Sequence, residues 1–445
     1  MDDWRFKSAA EQGRALGAGK ISSRDLTEAY LTAIDTHPSR DDIYVTTTPD
    51  RARAEADAAD ARLKSGTAKG PLDGVPISWK DLYDVEGVGC EGGTRLLKGR
   101  IAEADCPVVT RSTHAGTICL GKTQTTEIAF SGLGVNPMSG TAPNAIEPAL
   151  APGGSSAGAA VSTKLGLAAA GIGSDTGGSD RIPAAWNDLV GLKTTAGLIP
   201  TDGVIALSRT YDTVGPLCHT VEDAALMFSI LADTPVPDWD GADLDDEILH
   251  VAESFVLDGC DPGIVESFED TMKRLSKAGA NVTRGPTPEF ADVFRTMSEV
   301  SPIVPSEAWA EWGARIEASP GTMWAPIERR VRQGEHADKS ADDKARAEMD
   351  RHSTAIKNRI AAQGLIALPT SPCKPPVSQK LLEDQDYFAE RNLLALRNTR
   401  LGNLLVLSSI TIPTQTPMCG LMLFGPPGAE ARLLRAARAI EKALG

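Results

Sequence analysis

The sequence predicts an α/β fold built around one central sheet, and three observations support this prediction. Of the 445 residues, 41% are hydrophobic and 24% are charged, which is an ordinary composition for a globular chain with a large core. Helical and strand-like patterns alternate along the chain, as they do in α/β folds. No internal repeat or low-complexity linker interrupts the alternation, so we expect a single domain over residues 1–445.

The elements of the N-terminal part follow from hydrophobic spacing and from turn residues. A helix over 22–36 has apolar residues at helical spacing behind a capping serine, and an Ala-rich helix follows over 49–65. After a Gly- and Pro-rich turn, residues 75–80 predict a short apolar strand that ends in Lys80. Residues 117–120 predict another buried strand.

Small and turn-forming residues dominate the middle of the chain. Residues 131–158 predict a long loop, a kind of segment that is often functional. A tightly packed helix is expected over 159–170 and a second Gly-rich loop over 171–179. Residues 285–350 are polar and predict helices, which form either a cap over a site or a solvated layer. The remaining elements are helices over 220–232, 262–279 and 429–443 and strands over 247–252, 364–368 and 404–411.

Charge and cysteine content argue against several classes of function. The chain has 45 Lys and Arg against 60 Asp and Glu, and its net charge of −15 disfavours nucleic-acid binding. We find no signal peptide and no apolar run of about 18 residues, so we expect no membrane span. Seven Cys without a CxxC pair predict a reducing, cytoplasmic location. Six His without an HExxH motif give no support to a metal site, and we expect no cofactor.

Two short motifs match well-known sites, but their surroundings argue against both. Residues 116–123 match the P-loop pattern GxxxxGK[ST], yet the four variable positions form the apolar strand itself rather than a phosphate-binding turn. Residues 154–158 match GxSxG, the nucleophile elbow of α/β-hydrolases. No buried strand precedes that motif, and no histidine follows His352 in the last 93 residues. We therefore rank both interpretations low.

Three features remain that together suit acyl transfer without a histidine or a metal. They are Lys80, the loop over 153–156 and the loop over 175–179. A lysine can act as a general base when burial lowers its pKa, and Gly-rich backbone beside a serine offers N–H groups to an oxyanion. Two alternatives stay open at this point. A lysine at a strand end is usually a solvated surface residue, and Gly-Gly-Ser-Ser is more often a flexible turn.

The stretch over 152–195 resembles the signature of the amidase signature family, and the resemblance covers most of the chain. Further matching motifs lie at 74–81, 121–127, 212–216, 220–224 and 367–372. The resemblance implies the amidase signature fold, in which a central mixed β-sheet is covered by helices on both faces. It also divides the single domain into N-terminal helices over about 1–65, a signature core over about 70–235 and a helical cap-like region over about 285–350.

The resemblance implies a catalytic role for three residues. Ser179 matches the nucleophile, Ser155 matches the bridging serine that follows a cis peptide bond, and Lys80 matches the general base. The same resemblance implies an oxyanion hole made by the backbone N–H groups of Thr176, Gly177, Gly178 and Ser179.

Three positions bear on substrate binding. Ala129 matches a residue whose backbone carbonyl binds the amide N–H of the substrate, and Ser155 contacts the substrate as well. Asp180 follows the nucleophile, where the family usually carries an uncharged residue. We expect its carboxylate either to cap the start of a helix or to lie at the pocket wall, where it would attract an amino group or repel an anion. The rest of the pocket is expected from 131–145 and parts of 285–350.

These observations predict a serine amidohydrolase that cleaves a small-molecule amide, carbamate or urea-type C–N bond through an acyl-enzyme. Two alternatives stay open. One is the transamidation subunit of a tRNA-dependent amidotransferase, which would need partner subunits. The other is a non-catalytic amide binder, against which the intact Lys80, Ser155 and Ser179 argue. A homodimer is a further alternative that the sequence leaves undecided.

Overall fold

The computed structural model describes residues 2–445 and confirms the α/β class with a mixed central sheet flanked by helices. Within these residues the sheet has 11 strands, which we number in chain order. They are β1 (Tyr44–Thr47), β2 (Pro76–Lys80), β3 (Ile118–Thr123), β4 (Ala170–Asp175), β5 (Val190–Lys193), β6 (Thr213–Cys218), β7 (Ile248–Ala252), β8 (Asn281–Gly285), β9 (Leu365–Pro369), β10 (Ser408–Pro413) and β11 (Gly420–Gly425).

The strands lie in the order β1-β3-β2-β4-β6-β5-β10-β11-β9-β7-β8. β2 is parallel to both β3 and β4, and β7 is parallel to both β8 and β9. The pairs from β4 through β6, β5, β10 and β11 to β9 are antiparallel. Because neighbouring parallel strands end at the same edge of a sheet, the carboxyl ends of β2 and β4 meet there. These ends carry Lys80 and Asp175.

Seventeen α-helices of the described chain pack around the sheet. They are α1 (Ala9–Gly17), α2 (Ser23–Thr36), α3 (Arg40–Ile43), α4 (Pro49–Ser65), α5 (Pro107–Ala115), α6 (Ala157–Lys164), α7 (Arg181–Trp186), α8 (Val221–Ala232), α9 (Pro262–Lys277), α10 (Glu289–Glu299), α11 (Ile303–Ala318), α12 (Ala325–Arg332), α13 (Lys339–Gln363), α14 (Ser378–Glu383), α15 (Gln385–Ala395), α16 (Arg397–Leu404) and α17 (Glu430–Leu444). Every residue of β2, β3, β4, β6 and β9 is buried, as expected for strands covered on both faces.

Most predicted elements are confirmed, but the interpretation of the middle of the chain is partly wrong. Residues 170–175 form the central strand β4 instead of helix and loop, and the small-residue helix ends at Lys164. The sequence did not indicate this strand because two of its residues are glycines. Glycine is needed there because neighbouring backbone lies too close to β4 to leave room for a side chain. A Cβ at Gly171 would lie 2.5 Å from the Ala159 carbonyl oxygen. The strand expected over 404–411 begins at Ser408, since α16 ends at Leu404 and a turn follows over 405–407.

The structure agrees with the rejection of the P-loop. The GKT residues lie inside β3, and the helix α5 comes before that strand rather than after it. Lys122 is fully buried, and its Nζ donates to Asp81 Oδ1 at 3.0 Å. The Lys122 ammonium group therefore pairs with a buried carboxylate and is not available to bind a phosphate.

None of the helices described over 2–445 is both long and apolar enough to cross a membrane.

Candidate active site

Lys80 lies at the carboxyl end of β2 and is fully buried, so the alternative of a solvated surface lysine is wrong. Its Nζ donates to three serine hydroxyl groups: Ser155 Oγ at 2.6 Å, Ser156 Oγ at 3.0 Å and Ser174 Oγ at 2.8 Å. Burial lowers the pKa of Lys80 to about 8, although nearby carboxylates oppose that change. The neutral amine that a general base requires is therefore a minor form of Lys80 at pH 7 and becomes the major form above about pH 8.

The loop that carries Ser155 and Ser156 is fixed by backbone contacts. The Gly154–Ser155 peptide bond is cis. The Gly154 N–H donates to the Gly132 carbonyl at 2.9 Å, and the Thr126 N–H donates to the Ser155 carbonyl at 3.3 Å. Both serines are fully buried. The loop is therefore an ordered part of the site and not the flexible turn that its composition alone allows.

Ser179 lies in the turn after β4, close to the edge of the sheet where β2 ends. It is 4% exposed and lines a cavity of about 220 Å³. Its hydroxyl makes no hydrogen bond within residues 2–445, whereas its carbonyl accepts from the Ser156 N–H at 3.1 Å. The structure thus brings Lys80, the Ser155 loop and Ser179 to one place, with the Ser179 hydroxyl uncommitted.

The four N–H groups expected in an oxyanion hole are not equivalent. The Gly178 N–H already donates to Asp175 Oδ1 at 2.7 Å, so the expectation that it faces the substrate is corrected. The other three residues, Thr176, Gly177 and Ser179, line the cavity. Within the described chain, their N–H groups donate to no other atom. Three N–H groups therefore remain for a developing oxyanion.

A buried ion pair holds this turn in shape. Arg181 Nη2 donates to Asp175 Oδ1 and its Nε donates to Oδ2, each at 3.0 Å. Asn403 Nδ2 and the Asp180 N–H donate to the same carboxylate at 2.8 and 3.1 Å. Burial would raise the pKa of Asp175, but the Arg181 charge holds that pKa well below its usual range. The carboxylate is therefore ionised throughout the neutral pH range and anchors the turn.

Helix α16, which lies late in the chain, is hydrogen-bonded to the turn after β4. Thr399 Oγ1 donates to the Gly177 carbonyl at 2.7 Å, and Arg181 Nη1 donates to the Thr399 carbonyl at 2.8 Å. Neither Thr399 nor Asn403 was predicted from the sequence. No local signal marks them, because the residues that they contact lie more than 200 positions earlier in the chain.

Asp180 differs from both sequence-based expectations. It precedes α7, but its side chain caps no helix N–H, so the capping prediction is wrong. It is fully buried and does not line the cavity, so it is not a wall of the substrate pocket. Instead, Ser156 Oγ donates to Asp180 Oδ1 at 2.9 Å, while Oδ2 has no partner within the described residues. The Ser156 hydroxyl is therefore hydrogen-bonded both to Asp180 and to Lys80.

The electrostatics of Asp180 follow from this position. Burial, and then the neighbouring charge of Asp175, raise the pKa of Asp180 well above its usual range. In return, Asp180 is the largest of the charges that raise the pKa of Lys80 against the effect of burial. Space for the carboxylate comes from Gly173 and Gly215, where a Cβ would lie 2.1 Å from Oδ1 and 2.7 Å from Oδ2.

Asp212 connects the turn after β4 to Leu207, which also lines the cavity. The Thr176 hydroxyl donates to Asp212 Oδ1 at 2.5 Å, and the N–H groups of Leu207 and Ser208 donate to Oδ2 at 2.9 and 3.1 Å. Burial raises the pKa of Asp212 to about 6. The sequence contains this residue in a motif of the resemblance, but no pattern assigned it a contact.

The cavity above Ser179 has mostly apolar walls, which come from several separate parts of the chain. Residues of 285–350 do line it, whereas from 131–145 only Ser131 contributes, so the pocket expected from that loop is largely wrong. Arg330 and Arg400 also line the cavity. The apolar side chains that line it include Phe130, Leu207, Phe294, Met297, Val304 and Leu396.

Ala129 lies at the inner end of the cavity in a left-handed backbone conformation, with φ of 58°. Its neighbour Ile128 has φ of 44°, so two consecutive residues adopt a conformation that non-glycine residues rarely take. The Ala129 carbonyl accepts no hydrogen bond from the described part of the chain. It is therefore free to accept one from a ligand.

Comparison with known proteins identifies the family that the chain resembles. The family model described as Amidase matches residues 25–434. The 2-amino-5-chloromuconic acid deaminase of Comamonas testosteroni is 36% identical over 462 residues, covering 98% of this chain and 97% of that protein. One subunit of the glutamyl-tRNA(Gln) amidotransferase of Anaeromyxobacter dehalogenans is 31% identical over 475 residues, covering 98% and 96%. A solved structure of an amidase superimposes with a TM-score of 0.88 at 26% identity, covering 99% of this chain and 100% of that one.

The chain therefore belongs to the amidase signature family. It is an amidase, a hydrolase that acts on carbon–nitrogen bonds.

Proposed function

We propose that this chain is a serine amidohydrolase in which Ser179 attacks the carbonyl carbon of a small-molecule amide, carbamate or urea-type substrate. One observation carries the proposal. The buried Nζ of Lys80 lies 2.6 Å from Ser155 Oγ, in a loop that is hydrogen-bonded to the backbone of Ser179. A desolvated lysine beside a serine hydroxyl can withdraw a proton without a histidine or a metal.

The proposed reaction begins with neutral Lys80, which takes a proton from Ser155 as Ser155 takes one from Ser179. The Ser179 oxygen then bonds to the substrate carbonyl carbon, and the carbonyl oxygen becomes an oxyanion beside the N–H groups of Thr176, Gly177 and Ser179. The proton returns through Ser155 to the leaving nitrogen as the C–N bond breaks. Water then attacks the acyl-enzyme by the same relay, which releases the acid and restores Ser179.

The size of the cavity and the identity of the relatives support a small substrate. A cavity of about 220 Å³ accommodates a small organic molecule rather than a folded protein. The relative from Comamonas testosteroni is named for removing an amino group from an organic acid, which is also chemistry at a C–N bond. The free carbonyl of Ala129 supplies an acceptor for the N–H of such a substrate.

A second candidate is transamidation, because one component of a tRNA-dependent amidotransferase is similar to this chain over 98% of its length. This candidate predicts that the isolated chain is inactive on free amides. It predicts that the chain hydrolyses glutamine only in the presence of partner subunits. Activity of the isolated chain on small amides would therefore favour the hydrolase over the transamidation component.

The test is release of ammonia or amine from a panel of small amides, carbamates and ureas. We expect the parent chain to turn over at least one class, and Ser179→Ala to lose about 10⁴-fold or more in kcat. Exposed Ser319→Ala, a matched control, should keep full activity. A folded parent chain that binds amides without any turnover would show a binder rather than an enzyme. Equal activity in Ser179→Ala would exclude Ser179 as the nucleophile.

A further inference from the structure

A short segment over 206–212 lies between the turn after β4 and α11, one of the helices of the cap-like region. Trp312 Nε1, on α11, donates to the Ala206 carbonyl at the start of the segment at 3.0 Å. At the end of the segment, Asp212 Oδ1 accepts from the Thr176 hydroxyl at 2.5 Å. The segment therefore connects a helix of the cap-like region to a residue of the proposed oxyanion hole.

The contact between Thr176 and Asp212 begins where backbone pairing ends. The ladder between β4 and β6 ends at the pair formed by Asp175 and Thr213. Thr176 and Asp212 are the next residues on the two sides of that ladder, so their side chains continue a connection that the backbone no longer provides. Because the Thr176 N–H donates to no atom of the described chain, the hydroxyl contact limits how the backbone at Thr176 can rotate.

Asp212 is in turn hydrogen-bonded to the middle of the segment. Its Oδ2 accepts from the N–H groups of Leu207 and Ser208 at 2.9 and 3.1 Å. The Asp212 N–H donates to the Ser208 carbonyl at 2.8 Å. These three bonds close residues 207–212 into one tight turn, so the position of Ser208 and the position of the Asp212 carboxylate depend on each other.

Glu307, on α11, binds the outer side of this segment. Its Oε2 accepts from the Ser208 hydroxyl at 2.5 Å and from the Thr210 N–H at 3.2 Å. Its Oε1 accepts from the Thr210 hydroxyl at 2.6 Å and from Arg346 Nη2 at 2.5 Å. Burial would raise the pKa of Glu307, but these donors together lower it. An ionised carboxylate of the cap-like region therefore accepts three hydrogen bonds from the 206–212 segment.

We propose that Glu307 is a positioning residue for the amidase reaction, which acts through Ser208 and Asp212 to place the Thr176 N–H for the oxyanion. The proposal rests on the proposed function because it uses the oxyanion assigned to that turn. It makes the rate at the nucleophile depend on the docking of α11. Oxyanion donors stabilise the transition state only in a narrow range of positions, so a small displacement of Thr176 lowers the rate more than it weakens binding.

The primary test is the rate at which a small alkyl fluorophosphonate labels Ser179, because its phosphoryl oxygen takes the place of the oxyanion. Saturation yields a maximal rate constant and a half-saturating concentration. We expect Glu307→Ala to lower the maximal rate constant by about 10- to 100-fold and to change the half-saturating concentration by less than about twofold. Glu311→Ala, one turn further along α11 and paired with the exposed Arg209, should change neither quantity.

A double-variant cycle shows whether Glu307 acts through Thr176. Thr176→Val removes the hydroxyl and keeps the shape and the N–H, and we expect a loss of about 10- to 100-fold in the maximal rate constant. Adding Glu307→Ala to Thr176→Val should then lower that constant by less than about threefold. Independent effects of the two changes would overturn the connection. A change in Glu307→Ala that is confined to the half-saturating concentration would show that Glu307 only shapes the cavity.

The outcomes separate this inference from the proposed function. Labelling of Ser179 that is equally fast in the parent chain and in Glu307→Ala would overturn the inference and leave the proposed function standing. If a folded parent chain is not labelled, the proposed function fails, and the connection is tested by urea unfolding of the same variants. Coupled residues should make the unfolding equilibrium constant of the double variant differ by at least about threefold from the product of the single effects. Independent effects on unfolding would overturn the connection.

Discussion

At the scale of single residues, the proposed chemistry depends on the proton affinity of Lys80. Its pKa is lowered to about 8 by burial, so the neutral fraction grows as the pH rises through that value. We predict that kcat/KM rises with pH and levels off above about 8. Lys80→Met should remove this dependence and lower kcat/KM by about 10²- to 10⁴-fold, whereas exposed Lys344→Met should not. A pH-independent rate in the parent chain between pH 6 and 9 would contradict the assignment.

Asp180 gives a second prediction at this scale. Its charge raises the pKa of Lys80 against the effect of burial, through the shared neighbour Ser156. Asp180→Asn keeps the shape and removes the charge, so the pKa of Lys80 should fall. The rising limb of the pH profile should then move to lower pH, while exposed Asp202→Asn should leave it in place. A limb that does not move would show that Asp180 is protonated while Lys80 titrates, and a limb that moves to higher pH would contradict the predicted effect of the Asp180 charge.

The roles that we propose for Lys80, Ser155 and Ser179 come from the sequence, because the resemblance matches them position by position. The position of Asp180 could not be predicted in this way. Its carboxylate occupies a space left by Gly173 and Gly215, which lie on two different strands that become neighbours only in the folded sheet. The sequence around Asp180 shows a helix start, and that local pattern suggested a cap that the structure does not contain.

At the scale of elements, the turn after β4 is shaped by the Asp175–Arg181 pair. Asp175→Asn would leave the Arg181 guanidinium buried without its counter-charge, which typically costs about 3–5 kcal/mol. We predict a loss of that size in the free energy of unfolding, measured by urea denaturation, together with loss of amidase activity. Exposed Asp202→Asn is the control and should change neither quantity. A loss below about 1 kcal/mol would mean that the pair does not hold the turn.

Elements with a clear periodicity were predictable, and those built on close packing were not. The helices α2, α4, α8 and α17 follow apolar spacing, and α2 and α8 also begin with a capping side chain; both signals are local in the sequence. β4 could not be recognised from the sequence because its glycines are explained only by contacts in the folded chain. Gly171 lies against α6, and Gly173 lies against the Asp180 carboxylate. Two of the six residues of β4 are glycines, so the strand has little alternation of polar and apolar side chains to detect.

At the scale of the whole molecule, Glu127 connects the core to the cap-like helices. Its carboxylate accepts from Thr94 Oγ1 at 2.8 Å and from the Trp324 N–H at 2.9 Å, just before α12. Burial raises the pKa of Glu127 to about 7. This contact helps to set the position of the helix that carries Arg330, over a separation of 197 residues.

We predict that Glu127→Ala lowers the free energy of unfolding by about 1–3 kcal/mol, because two hydrogen-bond donors lose their acceptor. KM should rise more than kcat falls, since the catalytic serines are not touched. Exposed Glu317→Ala on α11 serves as the control, and its melting curve should match that of the parent chain. An unchanged KM in Glu127→Ala would show that the cap-like helices do not shape the cavity.

The general layout of the molecule was predictable, whereas its long-range contacts were not. Alternation of helices and strands indicated the α/β class, and the polar helices after residue 285 suggested a cap. The contacts of Lys80, however, join residues 75 to 94 positions apart. Hydrophobic spacing carries no information about such contacts, so their identity came from the resemblance and their geometry from the structure.

The central claim is that Ser179 is a nucleophile activated by Lys80, and covalent labelling tests it most directly. The measurement is the intact mass of the chain after incubation with a fluorophosphonate probe, for the parent chain and for Ser179→Ala and Lys80→Met. We expect a single adduct on the parent chain, none on Ser179→Ala, and slower labelling of Lys80→Met. The absence of an adduct on a folded parent chain, or equal labelling of Ser179→Ala, would contradict the claim.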